Sequence, residues 1–453
     1  NRGFLWTKLE SMGVCGKMLN CVKGLYANVK SSVKLSPFVA TDWFPVGVGL
    51  RQGCIMSPLL FNVYVNDLAK AIKSMDKGVD SGDESVSILL YADDVVLLSD
   101  NAENLQQMLD VVCRWCKQWS MVVNTDKSKI VHFRPTNTTR TEFKFKLEDA
   151  DLEIVNRYRY LGLTIDCNLD YRVTAEEVAK AANRALGLLI SKSKSLGGLP
   201  YNCFSKLYES CVIPVIRYGA SIWGHKSYSC IDAVHNRMCR HFLGVAKFTP
   251  NAAIQGDMGL WVPSQHQKLE VLRQWCRFIN MNHDRLNWKV FKWSKGINVK
   301  NGCYKVVQML IGMDKSNKLR TYSTFKSEFL SECYVYTSMP KLHRSAYAKF
   351  RSGTAPIRLE TGRYESLKVE DRICPMCHMC VEDEIHVLLE CNIYRDIHTQ
   401  LLKDIVTAHP NVLVYSKREI LKCILGCNDE ILVKKCSKAC HEILSRRRQI
   451  LYT

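Results

Sequence analysis

The stretch Val86-Ser87-Ile88-Leu89-Leu90-Tyr91-Ala92-Asp93-Asp94-Val95-Val96-Leu97-Leu98 decides how the chain is read. β-favouring residues run up to Tyr91 and resume at Val95, which predicts two strands, Val86 to Tyr91 and Val95 to Leu98, with Asp93 and Asp94 at the tip of a hairpin. Aspartate is an ordinary turn residue. Two adjacent carboxylates on an apolar hairpin nevertheless repel, and each disfavours the charge on the other. A divalent cation relieves that conflict, because Mg2+ takes hard oxygen ligands and is commonly held by one or two carboxylates together with phosphate oxygens. A pair of such ions can activate a hydroxyl nucleophile and stabilise the group leaving in line with it.

Outward from the hairpin, Ser57-Pro58 offers a helix cap followed by proline at the first helical position, and Leu59, Leu60, Val63, Tyr64 and Ala69 recur near a helical period. On the other side, Asp100 or Asn101 can cap a helix whose apolar stripe is Leu105, Met108, Leu109, Val112, Cys116 and Trp119. A short strand around Val122, a polar turn from Asn124 to Lys129 and a strand from Ile130 to Phe133 are expected next. A second hairpin is expected to leave through Phe143, Phe145 and Leu147, turn at Asp149-Ala150-Asp151 and return through Tyr158 and Tyr160 to Ile165. From Thr174 to roughly Leu330 the pattern is helical, with a stripe at Ile231, Val234, Met238 and Phe242 and basic residues at Lys192, Lys194 and Arg240. The triplet Arg446-Arg447-Arg448 in the last helical stretch either faces phosphates or ends a solvated helix.

The chain has 453 residues, enough for about three domains. Its 47% apolar and 24% charged content excludes collagen-like and wholly disordered classes, and no apolar run approaches the ~18 residues of a membrane span. A formal net charge of +19 suits a polyanionic partner such as a nucleic-acid backbone. The 21 cysteines are odd in number. Several, such as Cys113, Cys116, Cys211 and Cys239, sit among apolar neighbours, which reads as a reduced core rather than a disulfide framework. Starting at Asn1 with no methionine and no leader, the sequence is expected to be a fragment.

One cysteine cluster is different. Cys374-Pro375-Met376-Cys377, His386 and Cys391 have C-x2-C-x8-H-x4-C spacing, and three sulfurs with one imidazole suit tetrahedral Zn2+ with no open position, a structural site. His386 and Cys391 stand five residues apart, which is ~140° around an ideal helix, so the helix is expected to end or distort before Cys391. Cys380 forms a further C-x2-C with Cys377 and leaves one ligand assignment open. Cys436, Cys440 and His441 are read as buried helix thiols and a surface histidine, not as a metal set.

Tyr91-Ala92-Asp93-Asp94 between apolar strands resembles the catalytic hairpin of reverse transcriptases. Gly49-Leu50-Arg51-Gln52-Gly53-Cys54-Ile55-Met56-Ser57-Pro58-Leu59-Leu60-Phe61-Asn62 resembles the family's motif that opens the helix beneath template and incoming nucleotide. Trp119 with Asn124, Lys127, Ser128 and Lys129 resembles the next motif, and Tyr160-Leu161-Gly162 the primer grip. The alanine before the aspartates, the run from Leu5 to Leu68 and the later Tyr218-Gly219-Ala220-Ser221-Ile222-Trp223 resemble non-LTR (LINE-type) retrotransposon polyproteins.

That resemblance implies an α+β fold. An incomplete right-hand polymerase palm over 1–168 would be followed by a helical thumb and connector over 169–330 and a C-terminal domain with a zinc knuckle over 331–453. It implies that Asp93 and Asp94 hold Mg2+ or Mn2+, that Tyr91 sits against the primer terminus, and that Arg51, Gln52 and Gly53 border nucleotide and template. Lys127 either meets the triphosphate and leaving pyrophosphate or is a solvated turn lysine, while Tyr160, Leu161 and Gly162 pack under the primer. The implied partners are an RNA template, a DNA primer or target and deoxynucleoside triphosphates, with no membrane, in cytoplasm and nucleus. The family's metal site also takes an aspartate from an upstream strand, and Asn1-Arg2 resembles residues just past it. The fragment is therefore expected to be inactive by itself, although of polymerase descent. The competing expectation is a non-catalytic remnant that binds RNA or DNA.

Overall fold

The computed structural model describes residues 1–82, 84–296, 322–326 and 330–452. The chain forms two compact units: one contains 1–170 and the described part of 278–299, the other 171–277 and the described residues from 322 onward.

The first unit begins with helices α1 (Arg2–Ser11) and α2 (Gly16–Tyr26) and four short strands, β1 (Lys30–Ser31), β2 (Lys34–Ser36), β3 (Val39–Ala40) and β4 (Phe44–Pro45), paired antiparallel as β1 with β4 and β2 with β3. Helix α3 (Ser57–Lys73) starts with Pro58 in its first turn, where a missing N–H costs nothing. Hairpins β5 (Val79–Ser81) with β6 (Glu84–Val86) and β7 (Ile88–Tyr91) with β8 (Asp94–Leu97) lead to α4 (Ala102–Trp119). Asn101 caps α4 by accepting from Asn104 N at 2.8 Å, and Ser120 ends it in left-handed backbone. The apolar faces of α1, α2, α3 and α4 close on one core through Leu5, Leu9, Val22, Leu68, Ile72, Met108 and Trp115, with Ile88 of β7 joining it. Full burial of such side chains is worth ~2 kcal/mol each. Thus the expected stripe of α4 faces inward, with Trp115 added to it. Helix α12 (Leu286–Gly296), far along the chain, belongs to this unit: Lys289 Nζ meets Glu84 Oε1 at 2.5 Å, and Trp293 lies over Gly82. There φ is +74° and an added Cβ would fall 2.9 Å from the indole.

Several strand expectations need correction. The run Val86 to Tyr91 is divided at Ser87, whose carbonyl accepts from Leu98 N at 2.9 Å, so Val86 closes one hairpin and Ile88 opens the next. No strand forms at Val122. The 130–133 segment contributes only a parallel bridge from Ile130 to Ile154, because Ile130 N donates to Glu153 O and its carbonyl accepts from Val155 N. The 143–165 stretch is two hairpins, β9 (Phe145–Leu147) with β10 (Ala150–Leu152) and β11 (Arg157–Tyr160) with β12 (Leu163–Asp166). Each has a tight turn with positive φ, at Glu148 in the first and at Leu161 and Gly162 in the second. Two left-handed residues in a two-residue loop match the twist of the flanking strands.

Among its described residues the second unit is helical. Its helices up to residue 279 are α5 (Arg172–Ser195), α6 (Tyr201–Cys211), α7 (Ile213–Arg217), α8 (Ala220–Trp223), α9 (Ser229–Leu243), α10 (Asn251–Met258) and α11 (Pro263–Ile279). Small buried residues Ala175, Ala179 and Ala182 let α5 lie close to α9, whose stripe Ile231, Val234, Met238 and Phe242 is buried as its period predicts. The expected helical reading beyond 296 falls largely outside the described residues. Arg351, 1% exposed, joins Asp257 at 3.0 Å and Glu332 at 2.8 Å, and Tyr322 and Tyr334 also donate to Asp257, so both carboxylates of this buried cluster are compensated. No disulfide forms among the described cysteines, and Cys211, expected in the core, is exposed because it lies on the outward face at the end of α6. Cys436 and Cys440 are buried, and His441 is half-buried. No helix among the described residues is long and apolar enough to cross a membrane.

Candidate functional site

The β7–β8 hairpin turns through only Ala92 and Asp93, with Tyr91 opposite Asp94 in register. Asp94 therefore begins β8, whereas Asp93 alone of the pair lies in the turn, a correction to both standing at the tip. The turn is bought by Ala92 at φ +50°, left-handed backbone that a Cβ disfavours. Tyr91, Asp93 and Asp94 are exposed, and the hairpin's other face packs through Ile88. Such a hairpin presents two carboxylates and a phenol to solvent from a rigid base. Donors of this kind and the open surface before them fit a magnesium ion that completes its shell with phosphate oxygens. Among the described residues no third carboxylate, histidine or cysteine joins them in a metal-sized cluster.

The other motif residues lie on separate turns and loops of the same unit. Tyr160, at the end of β11, has its phenol pKa pushed up by burial and then by the Asp94 carboxylate. Leu161 and Gly162 form the β11–β12 turn, exposed and left-handed. Lys127 is exposed in its own turn, with its backbone N–H on Asn124 Oδ1 at 3.0 Å and its carbonyl accepting from Tyr158 OH at 3.1 Å. The lysine turn is thereby tied to β11. Arg51, Gln52 and Gly53 are exposed ahead of α3, where Gly53 has φ +80° and open space around the position of a Cβ. Ser57 Oγ donates to Arg51 O at 2.7 Å and meets Tyr26 OH at 3.1 Å, fixing the loop against α2. Ile55 next to this loop is 96% exposed, an apolar surface that the periodicity of α3 gave no reason to expect.

A different physical problem is solved at Lys8. Its ammonium is buried, donates to Tyr64 O, pairs with Asp67 at 2.7 Å and lies 3.8 to 4.8 Å from the ring centroids of Trp119, Tyr64 and Trp115. Burial lowers its pKa against the opposing pull of Asp67. Three aromatic faces and one carboxylate supply what water would have supplied. Trp119 thus belongs to the packing beneath the motif it opens.

In the second unit, Cys374, Cys377, His386 and Cys391 bring their ligand atoms within 4.8 Å of one another. Tetrahedral zinc with Zn–S bonds of ~2.3 Å sets ligand atoms ~3.8 Å apart, so this donor set fits it. The first pair comes from a tight loop closed by Cys374 N to Cys380 O at 2.8 Å and by an Ile373–Val381 bridge, with His378 at φ +56°. The five-residue interval that an α-helix cannot serve is spanned by a π turn, His386–Glu390, in which Cys391 N donates to His386 O at 2.8 Å. Widening the turn brings residues five apart onto one side. His386 Nε2 lies 3.3 Å from Cys377 Sγ, whereas Nδ1 lies 3.1 Å from Cys380 Sγ and 3.8 Å from Glu390. Cys380 stands on the outer ring nitrogen, outside the four-ligand set. Burial, followed by the neighbouring thiols, raises the pKa of Cys391, and burial likewise raises that of Cys374. A divalent cation would reverse that balance.

Two members of the arginine triplet are engaged within the protein. Arg446 holds Asp396 through two bonds of 2.6 and 2.8 Å, Arg447 holds the fully buried Glu382 through two of 2.9 Å, and Arg448 is exposed. Glu382 escaped the sequence reading because a glutamate in Glu382-Asp383-Glu384 looks like any solvated acidic run.

Residues 3–165 match the family model described as reverse transcriptase (RNA-dependent DNA polymerase). A Drosophila melanogaster protein named RNA-directed DNA polymerase from mobile element jockey is 25% identical over 267 residues, 55% of this chain and 28% of that protein. A second from the same fly, named a probable RNA-directed DNA polymerase from transposon BS, is 26% identical over 226 residues, 47% of this chain and 24% of its own. A Popillia japonica Pol polyprotein from type-1 retrotransposable element R2 is 26% identical over 161 residues, 34% of this chain and 23% of that one. The chain thus spans about a quarter of the length of these relatives.

Proposed function

Since residues 3–165 are a reverse transcriptase domain of the kind carried by non-LTR retrotransposons, we propose that this chain is the palm and downstream part of an enzyme that copies RNA into DNA. The observation that carries this reading is the β7–β8 hairpin, which exposes Asp93 in its turn and Asp94 at the start of β8, opposite Tyr91. Bound Mg2+ or Mn2+ would supply charge neutralisation for the triphosphate and activation of the primer 3′-hydroxyl. Asp93 and Asp94 hold the cation. Tyr91, 63% exposed beside them, supports the primer end. Gly53 lets the backbone approach the nucleotide without a Cβ in the way, with Arg51 and Gln52 flanking it, and Lys127 meets the phosphates. Tyr160, Leu161 and Gly162 set the height of the primer. Residues 169–330 act as thumb and connector, and the four-ligand zinc centre shapes a C-terminal nucleic-acid contact. The working compartments are those of an RNA template and a chromosomal target, cytoplasm and nucleus.

These residues supply two carboxylates where the chemistry calls for a third to place nucleophile and triphosphate together. The 453-residue chain alone is therefore expected to bind RNA and DNA but to incorporate no measurable deoxynucleotide on an RNA template with a DNA primer. An extended form of the chain that supplies the third carboxylate should incorporate. Incorporation by neither form, with RNA binding retained, would favour the second reading, a nucleic-acid-binding remnant, which the +19 charge supports independently of the hairpin.

A further inference from the structure

We propose that Arg447 and Glu382 are a positioning pair for the metal centre, making the C-terminal helix Glu430–Tyr452 a working part of the Cys374, Cys377, His386, Cys391 site. The proposal rests on the zinc reading of those four residues. Glu382 is completely buried, and both of its oxygens are engaged. Oε1 accepts from Arg447 Nε at 2.9 Å and lies 3.8 Å from Cys374 Sγ; Oε2 accepts from Arg447 NH2 at 2.9 Å and from the backbone N–H of Arg358. The backbone of Glu382 is fastened as well, its N–H to Arg372 O at 2.9 Å and its carbonyl to Leu359 N at 3.0 Å. One carboxylate thus connects the strand-like segment after the first two ligands, the helix Arg358–Tyr364 and the C-terminal helix, while touching a ligand sulfur.

The electrostatics require the arginine. Three thiolates and one neutral imidazole leave a zinc centre with net charge −1, and a buried, uncompensated carboxylate at 3.8 Å from Cys374 would oppose it. The planar fork of Arg447 cancels that charge with two parallel bonds and fixes the carboxylate's direction. One residue earlier, Arg446 repeats the device after the last ligand, holding Asp396 five residues beyond Cys391 and donating to Ile393 O at 3.1 Å. Adjacent arginines of one helix therefore grip the chain between the two ligand pairs and just beyond the last ligand. Outer partners of this kind hold ligands in place and typically govern metal affinity by 10- to 100-fold.

The test uses the full chain and reads zinc affinity by competition with a chromophoric chelator, together with the thiolate-to-metal absorption of the Co2+ form. Arg447→Met is expected to weaken zinc binding 10- to 100-fold and to alter the cobalt spectrum, and Arg447→Lys to recover part of the loss. The double variant Arg447→Met/Glu382→Gln, which removes the buried charge and guards against simple misfolding, is expected to recover most of it. Zinc should also slow amide exchange in the helix around Arg447, since coupling is reciprocal. An Arg447→Met protein binding zinc within twofold of the unaltered chain would overturn the proposal, as would a double variant no better than the single one. Failure of the unaltered chain to give any thiolate-cobalt absorption would instead remove the zinc reading itself.

Discussion

Ala92 takes a left-handed conformation so that two aspartates can follow one another out of a two-residue turn. A β-branched side chain tolerates that region worse than alanine does, so Ala92→Val is expected to lower stability by ~1–2 kcal/mol, read as a lowered urea midpoint. An unchanged midpoint would mean the turn relaxes freely. Lys8 makes the opposite bargain, a charge kept inside by Asp67 and three rings. Lys8→Ala leaves a void and an unbalanced carboxylate, with an expected loss of ~2–3 kcal/mol, discounted because the Asp67 side chain is 43% exposed. Retention of the full melting temperature would show the cage to be ornamental. The sequence told these residues apart unequally. Asp93 and Asp94 stand out because like charges on an apolar hairpin need a reason. Lys8, in Trp6-Thr7-Lys8-Leu9-Glu10, looks like any helix lysine until three helices are assembled around it.

Helices were readable from caps and periods, as at Asn101 and along α9, because both signals are local. Strand limits were not, since Ser87 divides two hairpins through a bond to Leu98, and Ile130 spends its hydrogen bonds on residues 153 and 155 instead of extending a strand. Pairing partners at that distance leave no mark in the local pattern. The cysteine spacing exposed the difficulty between His386 and Cys391 but could not choose its solution, a π turn closed by the Cys391 to His386 bond. Inserting an alanine after Leu389 would set the two ligands six positions apart, ~240° around an ideal helix, and rotate Cys391 away from the other ligands. Its expected effect is at least a tenfold loss of zinc affinity, and wild-type affinity would contradict a role for the wide turn.

The whole molecule carries +19, and its binding to RNA or DNA is expected to weaken steeply with salt, linearly in log–log form. A flat salt profile would detach the charge from the function. Acid should act chiefly on the second unit. Burial lowers His235 to about 4, and burial with Lys341, Lys194 and Arg237 lowers His241 to about 4, so the unfolded chain takes up these protons near pH 6.5 and the folded one does not. Stability from both groups is therefore full above pH 6.5 and falls as pH drops towards 4. Thermal melts across that window should show it, with His241→Gln flattening the profile. The polymerase reading rests on the β7–β8 hairpin, and the most direct test lies there: Mg2+-dependent deoxynucleotide incorporation on an RNA template by an extended form of the chain that supplies a third carboxylate, with and without Asp93→Asn. The account predicts incorporation by the unaltered extended chain and a loss of at least a thousandfold, ~4 kcal/mol of barrier, in the variant with RNA binding unchanged. Undiminished incorporation by Asp93→Asn would contradict it.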